Sequence, residues 1–315
     1  MIFFLFIFII AAILLVKSAS WVINGLRRIA HILGWSEFIV AFFLMALATS
    51  LPELFVGVAA AFHKNPALSF GNVLGANVIN LTLGIGIAAL VGCGIKLKKS
   101  AAKKEALFTV LFAALPVLMI LDNSLSRLDG VILLCALSVY LSFLFKQRKR
   151  QKEPFEPEEK ITEPKAVLKD FFILFLGLAL LVGSAELAVW SASSFGEEIG
   201  APAIVIGVLM VALGTTLPET AFSIRASLKK HQDMALGNLM GSVVINSSLV
   251  LGVVSIISPL KINYFPPYFI ATFWIIMTSI LFLLFSKSHN KITRKEAVFL
   301  LFVYLCFIIA QIISS

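Results

Sequence analysis

The sequence predicts an all-α integral membrane protein with ten transmembrane helices in two inverted-topology five-helix repeats. Three observations carry that prediction: a composition suited only to lipid, a succession of ten apolar runs, and an internal repeat that spans the chain. Of 315 residues, 60% are hydrophobic and only 14% charged, 28 are Phe, and the mean hydropathy is +1.00. Soluble domains average roughly 45–50% apolar and about 25% charged residues. A chain of this length cannot hide so much apolar surface from water, so a soluble enzyme and a transcription factor are both excluded.

A helix that spans a bilayer needs about 20 mostly apolar residues. Ten such runs occur in order, approximately at 2–23, 38–62, 68–94, 106–121, 128–145, 168–192, 203–227, 235–258, 267–285 and 296–313. The first, opening MIFFLFIFII, has no positive leader and no small-residue cleavage site, so it is expected to be a retained span. The second and seventh each contain a Pro-Glu pair, and the third and eighth are rich in Gly and Asn. The remaining spans carry almost no polar signal.

The basic residues set the orientation. The net charge is +9, and 22 of the 26 Lys and Arg residues fall in alternate connections. These are Arg27 and Arg28, five lysines from Lys96 to Lys104, eight residues from Lys146 to Lys169, Arg225 with Lys229 and Lys230, and four residues from Lys287 to Lys295. The opposite connections hold only Lys64, Arg127 and Lys261. The positive-inside rule makes the basic face cytoplasmic and places both termini outside. The charge is therefore a topology signal for a plasma (inner) membrane protein and calls for no nucleic acid partner. Cys93, Cys135 and Cys306 lie far apart without metal-like spacing, and His31, His63, His231 and His289 sit at span ends.

One stretch is soluble in character. Residues 146–167 are charged and contain Pro154, Pro157 and Pro164, the composition of a solvated linker. It divides the chain into a first five-helix repeat at 1–145 and a second at 168–315. It is too short for a regulatory domain.

The halves repeat each other. LMALATSLPE at 44–53 aligns with MVALGTTLPE at 210–219, and GNVLGANVIN at 71–80 with GNLMGSVVIN at 237–246; each block matches at six of ten positions, both at an offset of 166. Five spans is an odd number, so the second half enters the membrane in the opposite direction. Inverted repeats of this kind belong to secondary transporters, whose substrate site lies near the midplane.

The repeated residues share one chemistry. Glu53 and Glu219 fall inside apolar spans, where a carboxylate costs at least ~2.5 kcal/mol. Pro52 and Pro218 precede them and leave the carbonyls of Ala48 and Gly214 without a helical donor. Thr49 with Ser50, and Thr215 with Thr216, place hydroxyls within a turn of each Glu. Asn80 and Asn246 lie four residues beyond Ala76 and Ser242, on the helix face set by Gly75 and Gly241. Two carboxylates, two amides, hydroxyls and bent carbonyls make an all-oxygen cage, which suits hard cations such as calcium and sodium. Taken singly, each element has a plainer reading: a Glu that partners Lys or Arg, a proline kink, a Gly-x-x-x-Gly packing seam, an Asn that joins helices. Duplication of the whole set at one offset favours the cage. No HExxH or GxSxG motif occurs, so no enzyme is expected.

ATSLPE with GNVLGANVIN, and GTTLPE with GNLMGSVVIN, resemble the two alpha repeats of the calcium/cation antiporter superfamily, most closely the compact microbial form of its sodium/calcium exchanger family. The alpha-1 motif is then 44–80 and the alpha-2 motif 210–246. The resemblance implies a fixed core of spans two, three, seven and eight, with spans one and six moving across it to alternate access. It implies that Glu53 and Glu219 are shared by calcium and sodium, with Glu53, Glu219, Thr49 and Thr215 the direct metal ligands. Thr49 and Ser50 would serve the cytoplasmic-side sodium site, Thr215, Thr216 and Ser242 the external one, and Ala46 and Ala212 would offer carbonyls. Asn80 and Asn246 would form the middle of the cluster.

Two positions depart from the family pattern. Asn246 stands where relatives often have Asp, and Ala76 where they often have a hydroxyl residue. The implied activity is calcium/sodium antiport with no cofactor, by a protein that works as a monomer in membrane lipid. A cation/proton antiporter of the same fold and a passive cation channel are the alternatives. Lys17 and Glu186, in the two implied moving spans, are expected to pair.

Overall fold

A computed structural model of the chain describes residues 2–32, 45–96, 100–148, 164–262, 266–288 and 291–313. The described residues are almost entirely helical. In order they form α1 (Ile2–Ile32), α2 (Met45–Thr49), α3 (Leu51–Phe62), α4 (Pro66–Ile79), α5 (Ile85–Val91), α6 (Ser100–Met119), α7 (Arg127–Arg148) and α8 (Pro164–Ile199). There follow α9 (Ala203–Ile206), α10 (Ala212–Thr215), α11 (Leu217–Leu228), α12 (Gln232–Ile245), α13 (Leu251–Ile257), α14 (Pro266–Lys287) and α15 (Arg294–Ile313). Three π turns, Asn80–Gly84, Gly207–Val211 and Asn246–Val250, join α4 to α5, α9 to α10 and α12 to α13.

Eight helices among the described residues are long and apolar enough to cross a bilayer, and a ninth span forms if α9–α10 and α11, bent by 43°, are counted as one. The sequence led us to expect ten. Part of the second expected span, 38–62, lies outside the described residues, and its described part is the broken pair α2 and α3. The linker expected at 146–167 is shorter at both ends, because α7 runs to Arg148 and α8 begins at Pro164; residues 149–163 are not described.

Burial sorts these spans into layers. The windows of Pro66–Val91 and Gln232–Ile257 are 83% and 78% buried, against 28–44% for the other single helices. These two therefore form the centre, and their neighbours turn residues such as Phe3, Leu111, Phe172, Leu284 and Phe302 outward. Phe, Leu and Ile exposed in such numbers are the expected surface in hydrocarbon. The largest apolar cluster joins Phe70, Leu74, Leu81, Ile85, Val243 and Leu251 at that centre.

Close backbone contact makes the central packing possible. A Cβ added at Gly71 would stand 2.3 Å from the Ile204 carbonyl oxygen, and one at Gly207 would stand 2.3 Å from that of Leu68. Only glycine lets α4 and the α9–π segment approach so closely.

A separate cluster holds α1 and α8 to each other and to α3, through Leu15, Ala19, Leu181 and Ala188 with Val56 and Ala60. The two long helices run antiparallel: the Phe4 ring lies 5.5 Å from Trp190, while Trp21 abuts Gly177. That register corrects one expectation. Lys17 stands opposite residues near 180, about 10 Å along the axis from Glu186 at 1.5 Å per residue. Glu186 pairs with His63 instead, Nε2 to Oε2 at 2.8 Å.

The internal repeat is visible in the elements themselves. The breaks at Ser50 and Thr216, the π turns beginning at Asn80 and Asn246, and the starts of α4 and α12 are each 166 residues apart. Short antiparallel strand pairs also tie sequence-distant connections together, with Ile95 facing Ile292 and Leu125 facing Leu260.

Candidate cation-binding site

The site begins with two interrupted helices. α2 stops at Thr49 and α3 starts at Leu51, while Ser50 takes φ −84° and ψ 4°; Thr216, between α10 and α11, takes φ −81° and ψ 0°. Both lie in the sparsely used bridge region. Pro52 and Pro218 occupy the first turn of the new helix, where a missing N–H leaves no helical bond unmade. The chain therefore breaks before the proline rather than kinking at it. Ser50 N–H still donates to Ala46 and Thr216 N–H to Ala212, so both carbonyls predicted as ligands also accept bonds from their own helix.

These breaks place Glu53 and Glu219 in the first turns of α3 and α11, each 12 residues long. A helix N-terminus carries partial positive charge and favours a carboxylate there. Both side chains are 0% exposed. Among the described residues neither oxygen of Glu53, nor Oε2 of Glu219, has a hydrogen-bond partner, while Ser50 Oγ donates to Glu219 Oε1 at 3.3 Å. The two acids lie near each other, with Thr215 beside Glu53, and Ser50 and Ser242 beside Glu219. Among the described residues no Lys, Arg or His forms an ion pair with either. Buried carboxyl groups with no countercharge of their own favour a bound cation.

The π turns that pack against α3 and α11 carry two amides. Asn80 and Asn246 are the first residues of these turns, fully buried, and among the described residues neither the oxygen nor the nitrogen of either amide has a partner. A π turn widens the helical ladder and often marks a functional position. Thr49 donates to Asn238 Oδ1 at 3.1 Å and lies 3.4 Å from Ser242 Oγ; Thr215 donates to Asn72 Oδ1 at 3.0 Å. The Thr216 hydroxyl turns back to the Ala212 carbonyl at 2.6 Å. Gly75 and Gly241 are buried in α4 and α12, and a Cβ on Gly75 would stand 2.4 Å from the Val208 oxygen.

The sequence reading did not single out Asn72 and Asn238. Both are fully buried, and each orients one threonine; Asn238 Nδ2 also reaches the Glu219 carbonyl at 3.4 Å and Ser223 at 3.3 Å. The signal was present, since Asn follows the first Gly in both repeated blocks.

Among the described residues no group of three or more His, Cys, Asp or Glu could hold a metal. A cation would therefore meet two carboxylates and otherwise neutral oxygens, a donor set fitted to hard ions. Interrupted helices that present buried carboxylates and amides deep inside a multi-span helical membrane protein are the mark of a transporter.

The chain belongs to the family described as sodium/calcium exchanger protein, which it matches over residues 3–146 and 169–313, and is thereby a cation antiporter. It is 33% identical over 256 residues to the putative antiporter CaxA of Alkalimonas amylolytica, covering 80% of each chain. It is 28% identical to the sodium/calcium exchanger MaX1 of Methanosarcina acetivorans, covering 96% of this chain and 97% of that one. Its fold is similar to that of the sodium-calcium exchanger NCX_Mj, solved after soaking with 10 mM Na+ and 10 mM Sr2+. The TM-score is 0.69, with 28% identity and 98% of each chain covered.

Proposed function

We propose that this protein exchanges calcium for sodium across the plasma membrane, both ions competing for one cage centred on Glu53 and Glu219. The observation that carries this reading is the pair of buried carboxylates that have no basic partner among the described residues, at positions related by the internal repeat. One calcium, or sodium ions in its place, neutralises them. Thr49 and Thr215 join the two acids as direct metal ligands. Ser50, Thr216, Ser242 and the Ala46 and Ala212 carbonyls complete the flanking sodium positions, and Asn80 and Asn246 form the middle of the cluster. NCX_Mj, soaked with sodium and strontium or calcium, supports the choice of ions.

Ten spans in two inverted five-helix repeats, joined by a cytoplasmic linker, give this mechanism its symmetry. The two matched family segments, the paired helix breaks and the reciprocal Thr49–Asn238 and Thr215–Asn72 bonds support that architecture. α1 and α8, packed on each other beside the core, slide to open the cage to one side at a time. Both termini face outward, and one chain suffices.

Calcium uptake into proteoliposomes driven by an imposed sodium gradient tests the reading. Uptake is expected in the parent and absent in Glu53→Gln and Glu219→Gln; unchanged uptake in either variant would sink the site assignment. Flux driven by a pH gradient without sodium would move the reading to cation/proton exchange. Conductance without counterflow would make the protein a channel.

A further inference from the structure

One contact beside the cage has no counterpart across the repeat. Asn77, in α4, donates from Nδ2 to Ser247 Oγ at 2.8 Å, and both side chains are fully buried. Asn77 lies one turn before Asn80, and Ser247 immediately follows Asn246 in its π turn. The bond thus links the helix that carries one cage amide to the turn that carries the other. At the offset of 166 the equivalent positions are Val243 and Leu81, both fully buried and unable to form a polar bridge. α12 nevertheless packs on the Asn80–Gly84 turn as α4 packs on the Asn246–Val250 turn. The same crossing is directional on one side and merely apolar on the other.

We propose that Asn77 and Ser247 are positioning residues that fix the Asn246 amide in the cage and thereby favour the ion that depends on it. This rests on the calcium/sodium reading above. Among the described residues the Asn246 amide group has no hydrogen bond to orient it, so its placement follows the backbone of the π turn, which Ser247 anchors. A hydrogen bond constrains distance and angle, whereas Val243 and Leu81 constrain volume alone. On that reading the direct calcium ligands are the two carboxylates and the two threonines, so the neutral amides serve sodium more than calcium. Loosening the bridge therefore weakens sodium more than calcium.

Asn77→Leu, Ser247→Ala and the double variant, measured in liposomes with KM for each ion taken separately from kcat, test this. The expected result is a rise of about five- to tenfold in the sodium KM, the scale set by one buried hydrogen bond. The calcium KM and kcat should move less than about twofold on the same basis, and the double variant should be no worse than either single one. Ser247→Thr keeps the hydroxyl and should restore the parent KM, and Val243→Ala should produce no ion-specific change. Equal shifts for both ions, or additive single effects, would overturn the proposal. Should the parent show no sodium-driven calcium flux, the exchange reading itself fails. The bridge is then judged by a double-mutant cycle on thermal stability in detergent, where additivity would refute it.

Discussion

Thr215 donates its hydroxyl to Asn72 Oδ1 at 3.0 Å, and 166 residues away in both partners Asn238 receives the same bond from Thr49 at 3.1 Å. Each bond crosses from one half of the chain to the other. Each commits the threonine proton to an asparagine and leaves the hydroxyl oxygen's lone pairs open to an incoming cation. Outer-shell partners of this kind typically cost 10–100-fold in ion affinity or activity when removed. Asn72→Leu and Asn238→Leu should each lower calcium/sodium exchange within about that range, by comparable amounts. Flux assays on both variants decide it; an effect in only one would deny the threonines equivalent roles.

Glu53 and Glu219 should weaken the ion-free protein. Among the described residues neither acid has a basic partner, and neither oxygen of Glu53 has a donor. Replacing one by its neutral isostere removes a group whose ionised form is costly in a low-dielectric interior. In detergent with chelator, Glu53→Gln should melt at or above the parent temperature. Added calcium at a hundred times its Kd should stabilise the parent by about 2.7 kcal/mol and the variant hardly at all. A lower ion-free melting temperature in the variant would contradict this account.

Hydropathy and self-similarity made the spans, the repeated blocks and the central acids legible, because lipid demands long apolar runs and duplication marks the exceptions. Three features were not legible. The helix breaks fall at Ser50 and Thr216 because a proline in the first turn of a new helix is unstrained, so Pro52 and Pro218 mark starts rather than kinks. Asn72 and Asn238 were passed over because the Gly-x-x-x-Gly spacing drew attention to packing, although the asparagines repeat as faithfully as the glycines. The pairing of Glu186 depends on how α1 and α8 slide past one another. That register is set by contacts such as Trp21 on Gly177, which no periodicity in either helix encodes.

The close crossing at Gly71 and Gly207 makes a sharp stability prediction. In Gly71→Ala the new methyl would stand 2.3 Å from a backbone carbonyl oxygen, and in Gly207→Ala likewise, so a helix must move. Overpacking of this kind costs about 1–3 kcal/mol and occasionally more. Gly183 in α8 has nothing within 4 Å of an added Cβ. Gly183→Ala should be neutral or stabilise the helix by about 0.5–1 kcal/mol. Thermal melts of the three variants give the comparison, and similar melting temperatures for all three would disprove the close approach.

The His63–Glu186 pair offers a direct handle on helix motion. His63 caps the end of α3 and Glu186 lies in α8, with Asn65 Nδ2 to Ser193 Oγ at 3.3 Å making a second link nearby. Both ionic partners are about half exposed, 55% and 49%, so the pair contributes at most about 1 kcal/mol. Glu186→Gln should therefore barely change the melting temperature. If α8 slides past α3 in every exchange cycle, however, this contact has to break and re-form each time. Cysteines introduced at positions 63 and 186, after replacement of native Cys93, Cys135 and Cys306, allow a short bifunctional thiol reagent to hold the two helices together. Cross-linking should arrest exchange, and reductive release should restore it. Undiminished flux through the cross-linked protein would show that α8 stays fixed against α3 while ions cross.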